Sequence, residues 1–519
     1  MLVLLLIWCL IALYVLIKRH YSKWQRLGFA TDEPLIPYGS LTKLSRKERH
    51  FGLIIADLYE KYTKDKVVGF YMFFKPTLLV RDAELVRQIL TTDFGSFHDR
   101  GLYVDEKNDP LTASLFNLEG QSWRTLRTKL TPSFSSAKLK AMFETVDAVG
   151  DKMIKYLGKE LEDGQSHDME IKRVTTNYAI DIIGSVIFGL DIDSFSNPNN
   201  EFRKLSELVV GNEETNFLRR LRNLTSFVSP PVAKFLSSMG VKDSISHRLR
   251  DIVSHTIEYR EKHGVIRKDL LQLLIQLRNT GKISEDNERV WSTTNETKAE
   301  HFKKAMSIDM IAANSFLFYM AGSETTSATI SFTLYEMAMY PDIFAKAQNE
   351  VDEILERYGL KPDGHLTYEA IQDMKYLDLC VKETTRKYPA LPFLNRQCTK
   401  DYEVPDTKLI IPEGTAIIIS LLGMHRDPQY FPNPLDYKPE RFGEDSNDYD
   451  AVAYMPFGDG PRHCVAQRMG IVNSKTALVK VLANFNIEPM PRKEIEFVFH
   501  TAPVLVPKDG LNIRLSKRK

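Results

Sequence analysis

One of the four cysteines of this 519-residue chain lies in the stretch FGDGPRHCVAQR, residues 457–468. A structural cysteine favours apolar neighbours. Cys464 instead has Gly458 and Gly460, which allow tight backbone turns, and Arg462 and Arg468, which bring positive charge. Those surroundings suit a thiolate.

Three further constellations carry chemical potential. The first is AGSETT, Ala321–Thr326, inside an apolar run that includes MIAANSFLFYM. A buried Glu324 carboxylate costs several kcal/mol unless water or a partner answers it. Gly322 is expected to let the helix open and admit water, and the Thr325 hydroxyl can both donate and accept. In ETTR, Glu383–Arg386, the two charges share one helical face, and PERF places Arg441 downstream. In WRTLR, Trp123 and Arg127 are four apart and address the same partner, while Arg124 points elsewhere.

The elements that must position these groups are mainly helical. Residues 50 to 64 read as a helix, and VVGFYMFFKPTLLV as two short strands around a turn at Lys75-Pro76. Helical patterns dominate 120 to 280, followed by a polar surface loop over 281 to 303. The stretch 304 to 338 is apolar on most faces, which predicts a helix buried through the domain centre. Helices are expected over 341–358, 368–388 and 465–484, with short strands over 401–420 and at the end of the chain.

Residues 1–17, MLVLLLIWCLIALYVLI, carry no charge and are followed by Lys18, Arg19, Lys23 and Arg26. That length reaches the lower bound for a membrane span, and the basic flank keeps the rest of the chain in the cytosol. A secretory signal places its basic residues ahead of the apolar run, which is not the order here. The organisation expected is an anchor over 1–17, a basic Pro-containing linker over 18–49, and one domain over 50–519. The net charge of +1 gives no case for nucleic acid. Cysteines at 9, 380, 398 and 464 make neither a disulfide framework nor a zinc site. The N-x-T sequons at Asn223 and Asn295 lie on the cytosolic side of the expected topology, away from glycosylation.

Phe457, Gly460, Arg462 and Cys464 stand in the register F-x-x-G-x-R-x-C. With the other three motifs in the same order, the chain resembles the cytochrome P450 family over nearly its whole length, specifically the insect microsomal enzymes that metabolise xenobiotics. The resemblance implies the P450 fold, mostly α with a smaller β portion. It implies haem b (iron protoporphyrin IX) with Cys464 as axial thiolate, which pushes electron density onto the iron. Arg462 would face a haem propionate, joined by Trp123, Arg127 and Arg396 of FLNRQC. Glu324 and Thr325 resemble the acid–alcohol pair that relays protons. Glu383, Arg386 and Arg441 resemble the buried triad that serves folding and haem retention. Two positions depart from the pattern: Ala466 replaces the usual glycine, and His463 stands where asparagine is common.

The activity implied is insertion of one atom of O2 into a lipophilic substrate, a xenobiotic such as an insecticide or an endogenous hormone. No flavin or dinucleotide signature is present, so electrons come from outside. The resemblance names NADPH–cytochrome P450 reductase, with cytochrome b5 as a further partner, docking on basic residues such as Lys129, Lys138, Arg462 and Arg468. The location implied is the endoplasmic reticulum membrane, with the catalytic domain on the cytosolic face. The alternative is a haem-thiolate binding protein or isomerase without monooxygenation; Glu324 and Thr325 argue against it. Substrate contacts are expected from the loop before Trp123, residues 209–220, Phe316 and Ala321, residues 389–393, and Thr501 to Val504.

Overall fold

The computed structural model describes residues 1–518 except 47, 163, 211–216, 242–243, 282, 284–305, 492–494 and 498–503. The expected surface loop over 281–303, the sequon at Asn295 and the contacts at 501–503 therefore lie almost wholly outside the described residues. The fold is mostly helical, with a smaller β portion, as the sequence implies.

Helix Ile308–Met339 runs through the centre and is buried on most of its faces. Ser307 caps its start, its hydroxyl accepting the Met310 N–H at 3.1 Å, and Asp309 lies in the first turn where the helix dipole favours negative charge. Its many Ser and Thr side chains do not disturb it. Ser323, Thr329, Ser331 and Thr333 donate to carbonyls four residues back, so their hydroxyls are satisfied within the helix. Helices Ile171–Ile183 and Gln467–Asn484 pack against it, and Ser136–Glu160 packs on those two, forming one large apolar core.

A second core surrounds a five-stranded sheet ordered Ala30–Thr31, Val67–Met72, Lys75–Val80, Ala416–Ser420, Phe393–Gln397. Here the sequence misplaced a turn. Met72 pairs with Lys75 and Tyr71 with Pro76, so the hairpin reverses at Phe73-Phe74, with Phe73 at φ 55°, and Pro76 lies within the strand. Pairing to the strand Ala416–Ser420 begins only at Thr77, so Pro76 is spared a ladder on its second edge, which is where a strand tolerates proline. The expected helix 368–388 is two helices, Tyr368–Asp373 and Lys375–Lys387, broken at Met374. The Glu350 carboxylate imposes the restart by accepting the N–H groups of Tyr376 and Leu377 at 2.6 and 2.9 Å.

The first helix, Leu2–Tyr21, has a mean hydropathy of 2.3 and is exposed over residues 2–16, with Ile17 half-buried against the sheet core. Where the sequence predicts a linker, the structure shows packed chain. Trp24 is fully buried and donates its indole N–H to Phe70 O at 3.3 Å. Gly69 makes the seat: a Cβ there would stand 2.4 Å from Trp24 Cγ. Ala30–Thr31 then joins the sheet in parallel with Val68–Gly69.

Candidate active site

A cavity of about 870 Å³ opens between the two cores and is lined by both, Met72 and Leu394 from one, Trp123 and Phe318 from the other. That is near the upper end of the range for small-molecule sites. Cys464, Thr325, Trp123, Arg127, Arg396 and Arg462 all line it. The structure thus brings three of the four motifs, together with Arg396 of FLNRQC, to one space, while Glu383, Arg386 and Arg441 stand outside its lining.

Cys464 is open to this cavity, yet lies deep in the protein. Burial pushes its thiol up; the Ala466 N–H on the sulfur and the charges of Arg127 and Arg100 pull it back. Its own N–H closes a loop onto Phe457 O at 2.9 Å. Gly460 serves that loop in an unexpected way. It sits at φ 67°, and a Cβ there would fall 1.7 Å from the Leu90 carbonyl oxygen, so the glycine admits the helix Ala83–Leu90 rather than the sulfur. Ala466 has φ −99° and leads into helix Gln467–Asn484, a conformation in which a methyl group is at ease. His463 also lines the cavity, but its Nδ1 is engaged with Gly460 O at 2.7 Å.

Five arginines line the cavity: Arg127, Arg396, Arg462 and Arg220, together with Arg100, which the sequence did not single out. Arg462 donates to Leu118 O at 2.7 Å, lies 3.6 Å from Asp99, and has its guanidinium carbon 4.2 Å from the Trp123 ring centroid. Arg127 donates to His463 O at 3.0 Å and Arg100 to Asn395 Oδ1 at 3.2 Å. The Nε atoms of Arg100, Arg396 and Arg462 are buried without a hydrogen-bond partner among the described residues. Burial, reinforced by neighbouring Arg462, pushes Arg396 down to about 9. Burial also lowers Arg462 to about 10, with Asp99 and Glu119 acting against it. Several desolvated cations with open donors make a site for an anionic ligand. A flat group with two carboxylates and an iron atom fits the donors and the thiol present. Because Arg462 is buried, it drops out of the expected docking surface; Arg468 remains exposed.

On the central helix, Thr325 donates to Ala321 O at 2.6 Å. The helix is continuous here, in contrast to the expected opening at Gly322. What the glycine admits is a neighbour: a Cβ would meet Ile183 Cδ1 at 2.5 Å. Glu324 does not line the cavity. Its carboxylate accepts from Lys172 Nζ at 3.0 Å and Ser206 Oγ at 3.2 Å.

Below the cysteine loop, Arg386 grips Glu383 through two bonds of 2.7 and 2.8 Å. Arg441 approaches the same carboxylate at 3.4 Å. The arginines then tie down the irregular chain, Arg386 bonding His425 O and Pro434 O, Arg441 bonding Pro432 O and Asp448 O. Burial pushes His425 down to about 3, so its neutral ring accepts the Met455 N–H at 3.2 Å.

Of the expected substrate contacts, Leu115, Phe116, Ala321, Leu391 and Phe393 line the cavity. Phe316 does not; its neighbours Leu317 and Phe318 do. From 209–220 only Arg220 is placed there among the described residues, and Val504 is buried elsewhere.

Residues 31–515 match the family model described as Cytochrome P450. The chain is 68% identical to cytochrome P450 6d1 of Musca domestica over 506 residues, 98% of each protein. It is 66% identical to cytochrome P450 6d3 of the same species over 518 residues, 100% of this chain and 99% of that one. Probable cytochrome P450 6d2 of Drosophila melanogaster is 56% identical over 507 residues, 98% of each. A cysteine and a threonine on one deep cavity, a cluster of open arginine donors and this match together establish that the chain belongs to the cytochrome P450 family, as a haem monooxygenase.

Proposed function

We propose that this enzyme inserts one atom of O2 into lipophilic small molecules, xenobiotics such as insecticides or endogenous hormones, at a haem held by Cys464. The observation that carries this is one cavity bearing Cys464, Thr325 and buried arginine nitrogens without partners among the described residues. The haem would supply activation of dioxygen. Arg100, Arg127, Arg396 and Arg462 would hold its carboxylates, and Trp123 would brace Arg462. Thr325 would hold a proton donor at the cavity wall, with Glu324 carrying protons to it from the far side of the helix. Glu383, Arg386 and Arg441 would fix the chain beneath the cysteine loop.

The cavity lining is otherwise largely apolar, which excludes water and suits a lipophilic substrate. Its surroundings favour entry from a bilayer. Met72 and Phe73 line it, and the Tyr21 hydroxyl at the end of the first helix donates to Phe73 O at 3.1 Å. Leu35, Ile36, Tyr38 and Phe74 are exposed. Residues 1–17 would anchor the chain in the endoplasmic reticulum membrane with the domain on the cytosolic face. Electrons would arrive from NADPH–cytochrome P450 reductase, assisted by cytochrome b5, over a surface that includes Lys129, Lys138 and Arg468.

The test is incubation with reductase and NADPH against a panel of lipophilic compounds, with oxygenated products identified by mass spectrometry. The wild type should form product, while Thr325→Ala should still oxidise NADPH but divert more of it to hydrogen peroxide. No oxygenated product from any compound, or an unchanged product-to-NADPH ratio in Thr325→Ala, would contradict it.

A further inference from the structure

Asn223, which meets the N-x-T pattern, stands at the wall of the cavity. Helix Phe217–Val228 turns one face to that space: Arg220, Asn223, Leu224, Phe227 and Val228 recur at the three- and four-residue spacing of a helical stripe. Arg222, between them in sequence, does not line the cavity and is buried. It pairs with the buried carboxylate of Asp109, and its guanidinium carbon lies 5.6 Å from the centroid of the Tyr103 ring. Tyr103 donates its N–H to Ser226 O at 3.1 Å, so the segment 103–109 and this helix hold each other. From that fixed position Arg222 Nη1 donates to Asn223 Oδ1 at 2.9 Å. A guanidinium only donates, so the amide oxygen must be the atom that faces it, and the amide is held one way round. Its NH2 carries two donors and has no hydrogen-bond partner among the described residues. The wall around it is apolar: Phe227 packs edge-on against Phe51 and Phe393, with ring centroids 6.1 and 6.3 Å apart, and all three line the cavity.

We infer that Asn223 is a specificity-determining residue: its amide NH2 donates to a neutral acceptor oxygen, a carbonyl, ester or ether, on a lipophilic substrate whose apolar part lies along Leu224, Phe227 and Phe393. This rests on the proposed reading of the cavity as the substrate site. A neutral donor among apolar side chains suits a neutral acceptor, whereas an anionic group would be drawn to Arg220, one turn earlier on the same face. Arg222 orients the amide and does not itself reach the substrate. The cavity hydroxyls of Thr325, Thr329 and Thr385 donate to carbonyls four residues back, so Asn223 offers oriented donors that these side chains do not.

The test is equilibrium dialysis of the holoenzyme against benzophenone and diphenylmethane, which share their phenyl rings and differ in a carbonyl against a methylene. Wild type is compared with Asn223→Leu, Asn223→Asp and Arg220→Gln. Asn223→Asp keeps an acceptor oxygen for Arg222 and lacks the NH2, so it removes the donors without releasing the guanidinium. The quantity read is the Kd of diphenylmethane divided by that of benzophenone, a cycle that cancels changes common to both ligands. Both Asn223 variants should lower this ratio about three- to tenfold, the usual worth of one neutral hydrogen bond, and Arg220→Gln should lower it less than either. No fall in Asn223→Leu or in Asn223→Asp overturns the inference, as does a fall in Arg220→Gln as large as theirs. Should Asn223→Leu fail to accumulate, Asn223→Asp carries the same expectation. Product formation with reductase and NADPH is followed separately. Oxygenation without a fall in the ratio overturns this inference alone, whereas a fall without oxygenated product leaves the ligand contact standing and overturns the proposed activity.

Discussion

The guanidinium of Arg462 lies over the ring of Trp123, 4.2 Å from its centroid, at the wall of the cavity that Cys464 shares. The arginine is thus oriented from behind by an aromatic face while its Nε has no hydrogen-bond partner among the described residues. Trp123→Ala removes both the packing and the brace. We expect a loss of about 3–5 kcal/mol, the usual range for such a truncation, and a lower haem content per chain after gel filtration. Trp123→Phe keeps a ring face for the cation and should retain most of both.

Glu383 is fully buried between two buried arginines. Glu383→Gln leaves those cations uncompensated in the interior, a loss of about 3–5 kcal/mol. The measurement is the denaturation midpoint with the yield of folded holoenzyme. Equal yield and midpoint would show that the backbone carbonyls around Arg386 and Arg441 suffice on their own.

The position of Trp24 separates two truncations. Deleting residues 1–17 removes exposed apolar helix and, of the packed residues, only the half-buried Ile17, and should reduce membrane retention while leaving the haem spectrum intact. Deleting residues 1–26 also removes Tyr21 and Trp24 from the sheet core and should cost stability as a core truncation does, about 3 kcal/mol or more. Thermal unfolding of the two truncated forms, side by side, checks this.

Two buried groups give stability opposite slopes with pH. Burial pushes Asp181 up to about 7, so the fold favours its neutral form and stability falls as pH rises from the ordinary carboxylate range toward 7, with the full loss present above it. Asp181→Asn should therefore raise stability more at pH 8 than at pH 5, by an amount on the order of 1–3 kcal/mol at the higher pH, which thermal unfolding at the two pH values checks. His425, held down to about 3, acts in the other direction. Below about 6.5 the unfolded chain takes up a proton there that the fold refuses, and stability is lost.

The central helix was legible in the sequence because a long run apolar on most faces has nowhere to go but the interior. The cysteine loop was legible because its spacing is short and its residue types unusual together. The triad came only through the resemblance, since Arg441 lies 58 residues from Glu383 and the Glu383–Arg386 pair alone reads as a solvated surface pair. Three features were not legible at all. The break at Met374 depends on Glu350, which reaches it from another helix, and no local pattern reports that. Arg100 stands alone in an irregular segment and gains meaning only beside Arg396 and Arg462. Lys172 reads as an ordinary basic residue near a helix start until the fold sets it against Glu324. The hairpin at Phe73-Phe74 was misplaced for a related reason, since the proline was read as a turn when only its position relative to the third strand made it tolerable.

The most direct test of the central claim is the spectrum of the reduced protein with carbon monoxide, for the wild type and Cys464→Ser. A thiolate ligand at Cys464 should give the wild type a red-shifted Soret band, and the serine variant should lose it. The same band in Cys464→Ser would contradict the assignment, because the ligand would then have to come from another residue.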